Sequence, residues 1–425
     1  MSNRARKKAT QHPVVVMGPE EHPLVDNMLA EEAVWILNRL LWNGYQAFLV
    51  GGGVRDLLLG QSPKDFDLTT DARPEDLRKL FFNCRIIGRR FRIVHVYFRD
   101  GSVFEVSTFR ALPNQRGLRH SPQRDDNNYG TPREDALRRD ITINGLFYDI
   151  GTGEIIDYVG GLADLEAGLV RTIGPPRQRF REDPVRMIRA LRHAARHNFD
   201  VEGETWDAIQ LQAREMRLCS NARLLEEFLK ELRGGYSAET FSLMMDSHLL
   251  RGWLPQLNDW LYKRSRKVDF PPDRFGPYLR SHWASPQAFW KLLETHDAHI
   301  QAGHELSDLV LMGSLCVPIG WNYVARNYRS GKRTRQLWHR AIHQSLQKIL
   351  QELTLSSYHW HELSQLLQTY WRLHLVSQQP GILNSLQRAE FLPEAVQLFA
   401  LELEAQGQPI PEWLSDLHEY VPPLA

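Results

Sequence analysis

Cysteine is scarce in this sequence, and net charge is almost absent. The three cysteines among 425 residues, Cys84, Cys219 and Cys316, have neither the number nor the spacing of a disulfide framework or a zinc site. Because disulfides are rare in reducing compartments, we expect the protein to be cytoplasmic. The formal net charge of +1 at pH 7 means that composition alone does not indicate a nucleic-acid partner.

Several common signatures are also missing. No apolar run reaches the length of a membrane span and no signal-peptide pattern opens the chain, so we expect no membrane span. The chain has no phosphate-binding loop ending in Gly-Lys-Ser/Thr, and His359, His361 and Glu362 lack the spacing of a zinc-protease helix. The length is too great for one core, so we expect two to four packed units.

Hydrophobic periodicity changes along the chain. Residues 1–29 are polar and basic and are predicted to be a flexible tail. Apolar patterns predict helices at 30–42 and 75–82 and strands at 47–50, 65–69, 93–98 and 103–108. From about residue 182 the patterns are almost wholly helical. We predict an α+β fold, in which an α/β head with a small mixed sheet (30–170) precedes an all-helical neck (171–240) and body (241–425).

A glycine turn joins the first predicted strand of the head to a helix. Gly51 and Gly52 allow a ligand to approach the backbone closely, and N–H groups at the start of a helix attract anions. Arg55, one turn into the helix, can hold a phosphate. An ordinary strand-to-helix turn fits the same residues, so this motif alone is weak.

Two aspartates follow on the next predicted strand. Period two puts Asp65 and Asp67 on one face, where the carboxylates repel each other unless a cation lies between them. Mg²⁺ binds through one or two carboxylates plus substrate phosphates. Glu105, on a later strand, can supply a third carboxylate, and three carboxylates can hold two metal ions. Solvated edge-strand aspartates are the alternative; the glycine turn upstream favours the metal site.

Two further segments combine acids with arginines. In the first, Asp140 can accept a hydrogen bond from a ribose hydroxyl while Arg139 meets a phosphate or a base; a surface salt-bridge cluster is the alternative. In the second, Asp183, Arg186 and Arg189 fall near one helical face and offer acceptors and donors to a base edge. Asp183 before a proline also fits a simple helix cap.

These motifs, in this order, resemble those of the class II nucleotidyltransferases, which include bacterial poly(A) polymerases and tRNA CCA-adding enzymes. Gly-Gly-x-Val-Arg-Asp followed by Asp-x-Asp carries the resemblance, which extends over about residues 47–200. Arg138-Arg139-Asp140 with Asn144 resembles the family's ribose-contacting motif, and residues 182–186 with Arg189 resemble its base-reading motif.

The resemblance implies a polymerase beta-like head and the following site. Catalysis is expected from Asp65, Asp67, Glu105 and Asp140, with the first three as ligands of Mg²⁺ or Mn²⁺. ATP is the expected substrate, bound by a set of residues that the motifs share: Gly51, Gly52, Arg55, Arg139, Asn144, Asp183, Arg186 and Arg189. The expected partner is the 3′ end of RNA and not DNA; the sequence identifies no protein partner.

Residues 86–96 resemble the signature that separates poly(A) polymerases from CCA-adding enzymes. Arg89, Arg90 and Arg92 in this segment are predicted to contact RNA phosphates, with a basic hairpin rim as the alternative. Some relatives carry a strongly basic C-terminal tail, which residues 408–425 do not resemble. The basic segment 326–340, with Tyr328 and Trp338, is a candidate substitute, although a structural connection fits equally well.

The leading hypothesis is therefore a poly(A) polymerase that adds AMP from ATP to RNA 3′ ends without a template. It would release pyrophosphate by a two-metal mechanism and serve mRNA polyadenylation and RNA turnover. A tRNA CCA-adding enzyme is the first alternative. A catalytically silent RNA-binding protein is the second, against which the retained carboxylates argue.

Overall fold

The chain forms two compact units. The computed structural model describes residues 12–88, 92–111, 128–262, 279, 283–328 and 334–415. The first unit comprises the described residues up to Glu182 together with Asn198–Thr205, and the second comprises Asp183–His197 and the described residues from Trp206 onward. The finer boundaries predicted after residues 29, 170 and 240 stay predictions.

The first unit contains strands and short helices. Its strands are β1 Val15–Met17, β2 Ala47–Val50, β3 Asp67–Thr70, β4 Cys84–Ile87, β5 Ile93–Tyr97, β6 Val103–Thr108, β7 Leu146–Asp149, β8 Glu154–Asp157, β9 Leu169–Val170 and β10 Asp200–Val201. Its helices are α1 Glu31–Trp42, α2 Gly52–Leu58, α3 Pro74–Leu80, α4 Pro132–Arg138, α5 Gly161–Glu166 and α6 Pro176–Glu182, with 3-10 turns at Pro19–Glu21, Asp26–Met28 and Thr142–Asn144.

Eight of these strands form one mixed sheet in the order β1-β8-β7-β2-β3-β6-β5-β4. Neighbours are antiparallel except β3 and β6, which run parallel with Leu68 opposite Val106. The central strand β2 is buried on both faces, and β5 and β6 alternate between buried and more exposed residues. This mixed sheet, with the helical remainder, confirms the predicted α+β class.

The core of the first unit lies between the sheet and α1. Helical spacing puts Ala33, Ile36, Leu37 and Leu40 on one face of α1, and all four are fully buried, as the sequence predicts. They join a cluster that includes residues of β2, β3, β5 and β6. The neighbouring apolar residue Leu41 is only half-buried.

Two predictions for the first unit are wrong in detail. The described part of the predicted flexible tail is ordered, because Val15–Met17 pairs antiparallel with Ile155–Asp157 and so extends the sheet. The second predicted strand begins at Asp67, so Asp65 precedes it and strand periodicity does not fix the face of Asp65. The segment 75–82 is helical from Pro74 to Leu80.

The second unit is helical in all its described parts. Its helices are α7 Val185–His197, α8 Gly203–Gln212 (which begins in the first unit), α9 Asn221–Arg233, α10 Ser237–Asp246, α11 Leu249–Trp253, α12 Pro255–Leu261, α13 Pro286–Gln301, α14 Asp308–Asn327, α15 Thr334–Arg340, α16 Gln347–Ile349, α17 Ser357–Leu373, α18 Ile382–Leu386, α19 Leu392–Ala405 and α20 Glu412–Ser415. The 3-10 helices Ala213–Leu218 and Gln351–Leu353 and the π-helix Ala341–Leu346 complete it.

Helix α14 corrects one expectation. It is 20 residues long and apolar enough to meet the length and composition criterion for a membrane span, contrary to the sequence prediction. Its most apolar window is 83% buried inside the protein, as in a core helix, so the match is weak evidence for a membrane. Around it, Trp321 Nε1 donates to Tyr370 Oη at 3.0 Å, and His374 Nε2 lies 2.8 Å from Glu402 Oε2.

A half-buried arginine shared by two buried glutamates links α7 to α9. Arg192 Nε donates to Glu231 Oε1 at 2.7 Å, and Arg192 Nη2 also bonds Glu227 Oε2. One guanidinium cannot fully compensate two carboxylates removed from water. Burial therefore raises the pKa of the Glu231 carboxyl to about 7, against the lowering effect of Arg192.

We predict that Glu231→Gln flattens the pH dependence of stability. With a pKa raised from 4.5 to about 7, Glu231 contributes stability that is fully present below pH 4.5 and is lost as pH rises through about 7. The loss is at most on the order of 3 kcal/mol. Urea unfolding followed between about pH 5 and pH 8 measures it.

The matched control is Glu226→Gln on the same helix. Glu226 is exposed, and its hydrogen bond with Lys230 lowers its pKa. This variant should keep the wild-type slope over that pH range. Equal slopes for wild type and Glu231→Gln would contradict the raised pKa.

Candidate functional site

The turn after β2 is the centre of the site. Gly51 has φ 74° and ψ −131°, a region that favours glycine, and its N–H donates to the carbonyl of Leu146 at 3.1 Å. A Cβ on Gly51 would lie 2.9 Å from Arg139 Nη1, 3.7 Å from the Asn144 carbonyl oxygen and 3.9 Å from Asp67 Oδ2. Four residues that the sequence predicts as site residues are therefore brought together around this turn.

Arg55 supports the turn from inside. Its side chain is only 2% exposed. Nε and Nη2 donate to Asp56 Oδ1 at 2.9 and 2.7 Å, and Nη1 donates to Asn144 Oδ1. The guanidinium thus ties α2 to the 3-10 turn Thr142–Asn144. Its predicted phosphate contact remains a prediction, and the hydrogen bonds give it a positioning role as well.

Arg139 is held in place from three sides. Its Nη2 donates to Asp135 Oδ2 at 3.2 Å, its Nη1 donates to the Asn144 carbonyl at 3.5 Å, and its guanidinium lies 5.5 Å from the centre of the Phe147 ring. An arginine fixed in this way needs little reorganisation to meet an anion. Its neighbour Asp140 is also buried, with Oδ1 accepting from the Ile141 N–H at 2.9 Å and from Asn144 Nδ2 at 3.4 Å.

The sequence analysis missed Arg179 and Asp135. Arg179 Nη2 donates to the carbonyl oxygens of Arg138 and Arg139 at 2.7 and 2.8 Å, so it fixes the backbone that carries the site. Asp135 anchors the Arg139 guanidinium one helical turn away. The spacing of four between Asp135 and Arg139 is a signal that could have found that pair; nothing local marks Arg179.

The carboxylates lie at the beginning of β3 and beside it on β6. Asp65 and Asp67 are exposed, the first just before β3 and the second at its first residue. Since Leu68 is opposite Val106 in a parallel pair, Asp67 and Glu105 occupy neighbouring positions one residue earlier. Glu105 Oε1 lies 3.2 Å from His95 Nε2 on the other side.

These residues do not form a preassembled three-carboxylate metal centre. In the described part of the chain, no group of three or more His, Cys, Asp or Glu residues is arranged to hold a metal ion. The exposed carboxylates of Asp65 and Asp67 nevertheless have the donor chemistry that suits Mg²⁺, an ion that completes its coordination with phosphates and water. The metal roles of Asp65, Asp67 and Glu105 stay predictions.

The predicted base-reading residues belong to the second unit. Asp183 Oδ1 accepts from the Val185 N–H at 3.4 Å, which fits the predicted cap at the start of α7. Both carboxylate oxygens also accept from Arg223, at 2.8 and 2.7 Å, a partner that the sequence did not suggest. Arg186 and Arg189 are half-buried, on the side of α7 away from the buried Met187 and Leu191.

Of the three arginines predicted to contact RNA, only Arg92 can be located. Arg92 Nη1 lies 2.6 Å from Glu75 Oε1. The pKa of the exposed Glu75 carboxyl is lowered, mainly by a hydrogen bond from its own backbone and secondly by the bond from Arg92. Arg89 and Arg90 lie outside the described residues.

Comparisons with known proteins identify the family. The poly A polymerase head domain matches residues 47–171, and a domain described as the probable RNA and SrmB-binding site of polymerase A matches residues 198–261. Poly(A) polymerase I of Haemophilus influenzae is 35% identical over 315 residues, which cover 66% of this chain and 69% of that protein. The chain belongs to the bacterial poly(A) polymerase family.

Two further relatives and one solved structure are also similar to this chain. Poly(A) polymerase I of Escherichia coli O6:H1 is 43% identical over 281 residues, 64% of this chain; the alignment spans 59% of the length of that relative. A CCA-adding enzyme of Bacillus pumilus is 37% identical over 217 residues, 51% of this chain and 53% of that protein. A solved CCA-adding enzyme in apo form II has the same fold at 18% identity, with a TM-score of 0.59 over 95% of this chain and 87% of that one.

We predict that Gly51→Ala destabilises the protein more than an ordinary glycine substitution does. The alanine must keep the positive φ of Gly51, and its methyl group would lie only 2.9 Å from Arg139 Nη1. The backbone strain alone costs about 1 kcal/mol, and displacement of Arg139 adds to it. Thermal unfolding measures the difference.

Gly60→Ala is the matched control. Gly60 also has positive φ, at 68°, but nothing lies within 4 Å of a Cβ there. If both variants lose the same stability, Arg139 does not limit the space at the turn.

Proposed function

We propose that the protein is a poly(A) polymerase that adds AMP from ATP to RNA 3′ ends without a template and releases pyrophosphate. The supporting observation is the convergence of Asp67 Oδ2, Arg139 Nη1 and the Asn144 carbonyl oxygen on the Gly51 turn. Membership in the family supports the same reaction. By this proposal the enzyme serves mRNA polyadenylation and RNA turnover in the cytoplasm, in keeping with its free cysteines.

On the nucleotide side, the residues bind and orient. The missing side chain at Gly51 lets the Arg139 guanidinium lie against the turn, where its charge is proposed to stabilise a phosphate. Asp140 and Asn144, hydrogen bonded to each other, are proposed to meet the ribose. Positioning of this kind supplies most of the catalysis in phosphoryl transfer, because little covalent chemistry falls to the protein.

The carboxylates are proposed to hold divalent metal. Asp65 and Asp67 would be the ligands of Mg²⁺, or of Mn²⁺, with Glu105 as the third carboxylate. Such ions, when bound, increase the acidity of the attacking 3′ hydroxyl and neutralise charge on the triphosphate. The exposure of Asp65 and Asp67 keeps both accessible to substrate, which favours this enzyme over a catalytically silent RNA-binding protein.

Selection of the base is assigned to the first turns of α7. Arg186 and Arg189 supply donors and Asp183 supplies an acceptor, and the bidentate bond from Arg223 holds the Asp183 carboxylate in one orientation. A site that hydrogen bonds one base rejects another strongly, since mismatched polar groups stay unpaired. Protein side chains can therefore select adenine without a template.

We predict that Asp65→Ala and Asp67→Ala each reduce nucleotide addition by at least about 100-fold. Loss of one of two like charges also relieves repulsion in the metal-free protein, so the melting temperature without metal should stay level or rise. Addition of labelled AMP to RNA in the presence of Mg²⁺ measures the first effect, and thermal unfolding in EDTA measures the second.

Asp100→Ala is the control for these two variants. Asp100 is an exposed carboxylate in a turn of the same unit, where it accepts from Ser102. It should keep full activity. Near-normal activity of both site variants would overturn the two-metal assignment.

The alternative is a CCA-adding enzyme, because the chain is also similar to the CCA-adding enzyme of Bacillus pumilus. For a poly(A) polymerase we predict that ATP alone extends an unstructured RNA by many residues and that CTP is a poor substrate. The physical reason is that the Arg223–Asp183 ion pair would hold the base pocket in one shape. A CCA-adding enzyme, in contrast, must change the base that it accepts after it has added two cytidines. Product length on a gel, with each nucleotide triphosphate separately, measures this.

A tRNA that lacks its CCA end is the second substrate in that assay. Addition of only a short C-C-A stretch, restricted to this tRNA, would contradict the poly(A) polymerase proposal and support a CCA-adding enzyme. The control for substrate quality is a tRNA with its CCA end intact, which a CCA-adding enzyme leaves unchanged.

A further inference from the structure

The mixed sheet of the first unit ends at β4, Cys84–Ile87. On one side β4 pairs antiparallel with β5, and among the described residues no strand pairs with its other side. An unpaired strand edge presents N–H and C=O groups that can form a ladder with another chain. We therefore asked which residues this edge presents and what could pair with it.

The ladder between β4 and β5 shows which backbone groups face outward. The Tyr97 N–H donates to the Asn83 carbonyl at 2.9 Å, so these two residues are a hydrogen-bonded pair. Such pairs alternate along an antiparallel ladder, and Arg85 is therefore the next residue that bonds β5. The N–H and C=O groups of Cys84 and Ile86 point away from the sheet, toward the unpaired side.

The side chains of β4 alternate between two environments. Cys84 and Ile86 pack against the apolar cluster that includes α1, whereas Arg85 and Ile87 are exposed on the other face. Residues opposite each other on paired strands share a face. An added strand therefore needs apolar side chains opposite Cys84 and Ile86, and its residue opposite Arg85 lies beside a guanidinium.

A groove of about 670 Å³ lies at the start of β4, between this strand and α1. Its walls are aromatic: the Trp35 ring lies 5.7 Å from the ring of Phe81 and 5.7 Å from the ring of Phe98. Phe82, which also lines the groove, is fully exposed, and Trp35 is 45% exposed. Large apolar side chains left in water next to a concave aromatic surface indicate a binding surface.

The charges around the edge select the occupant. Arg85 on β4 and Arg78 in the last turn of α3, which packs beside β4, are exposed. Among the described residues neither forms an ion pair, and the nearby Asp76 is paired with Lys79 at 3.1 Å. The edge is therefore positive and suits an acidic strand. A second copy paired through β4 is disfavoured, because it would bring two Arg85 side chains into one interface.

We propose that β4 accepts an extended acidic segment of a partner protein as a ninth strand of the sheet. Running antiparallel to β4, this segment places apolar side chains opposite Cys84 and Ile86, a carboxylate opposite Arg85 and an aromatic side chain in the groove beside Phe82. Main-chain hydrogen bonds supply the affinity, and the alternating side chains supply the specificity. The proposal is independent of the reaction that the enzyme catalyses.

The probe is the labelled peptide Glu-Val-Glu-Val-Glu-Trp, in which strand alternation puts both valines and the tryptophan on one face. Fluorescence anisotropy with the full chain gives Kd. Arg85→Glu should weaken binding about 10-fold, since an attractive cross-strand pair becomes repulsive. Phe82→Ala should weaken it roughly 5-fold through lost apolar contact. The matched control is Lys291→Glu, a charge reversal at an exposed residue of the second unit, which should stay within about 2-fold of wild type.

Backbone methylation separates strand pairing from simple charge attraction. In the proposed register the valines exchange hydrogen bonds with Cys84 and Ile86, whereas the N–H groups of the glutamates point away from β4. N-methylation of both valines should weaken binding at least about 10-fold, and N-methylation of the two internal glutamates should change it less than about 3-fold.

A proline variant tests the same edge from the protein side. Ile86→Pro removes an outward N–H and no bond to β5, so this variant should stay folded in thermal unfolding and lose the peptide. If it does not fold, Arg85→Glu and the methylated peptides still decide the question, because they leave the backbone of β4 unchanged.

Equal affinity for Lys-Val-Lys-Val-Lys-Trp would overturn the proposal, as would tolerance of the methylated valines. Displacement of the peptide by oligoadenylate would assign the edge to RNA. Self-association of the wild-type chain in sedimentation, abolished by Ile86→Pro, would assign it to a second copy, and either result would also overturn the proposal. No measurement includes ATP, so a failure of the proposed function leaves these outcomes unchanged.

Discussion

The buried guanidinium of Arg55 is the interaction on which the head depends. It is 2% exposed, and a charge so far from water is tolerated only where its donors are satisfied. Asp56 and Asn144 satisfy them, and the second bond joins segments 89 residues apart. Through Asn144 the same bond holds the carbonyl that Arg139 contacts, so the glycine turn, the 3-10 turn and Arg139 form one supported unit.

Sequence reasoning located most elements of the head and several of the residues that meet at the Gly51 turn. Periodicity predicted α1 and β6, since each has a continuous buried face, and a short apolar run predicted β2, which is buried throughout. It failed for Val15–Met17 because three residues on a sheet edge carry too little pattern, and their pairing with β8 depends on residues far along the chain. Asp67, Arg139 and Asn144 were predicted by motif, and the structure brings them together at Gly51.

What escaped prediction depends on long-range contacts. Arg179 holds two carbonyls about 40 positions earlier, and Arg223 holds Asp183 from 40 positions later. Neither spacing belongs to a helix or a strand, so no local pattern reports it.

The parallel pair β3–β6 has a consequence for synthesis on the ribosome. In a nascent chain, one edge of β3 stays unpaired until Val106 of β6 has been synthesised. One edge of β2 stays unpaired for longer, until Phe147 and Tyr148 of β7 have been synthesised. At about 5–20 residues per second the exposed edges of β2 and β3 persist for seconds. Such edges are templates for wrong pairing. The head is therefore most vulnerable to aggregation before β7 emerges, and the segment with Arg139 and Asn144, proposed to bind the nucleotide, emerges together with that protection.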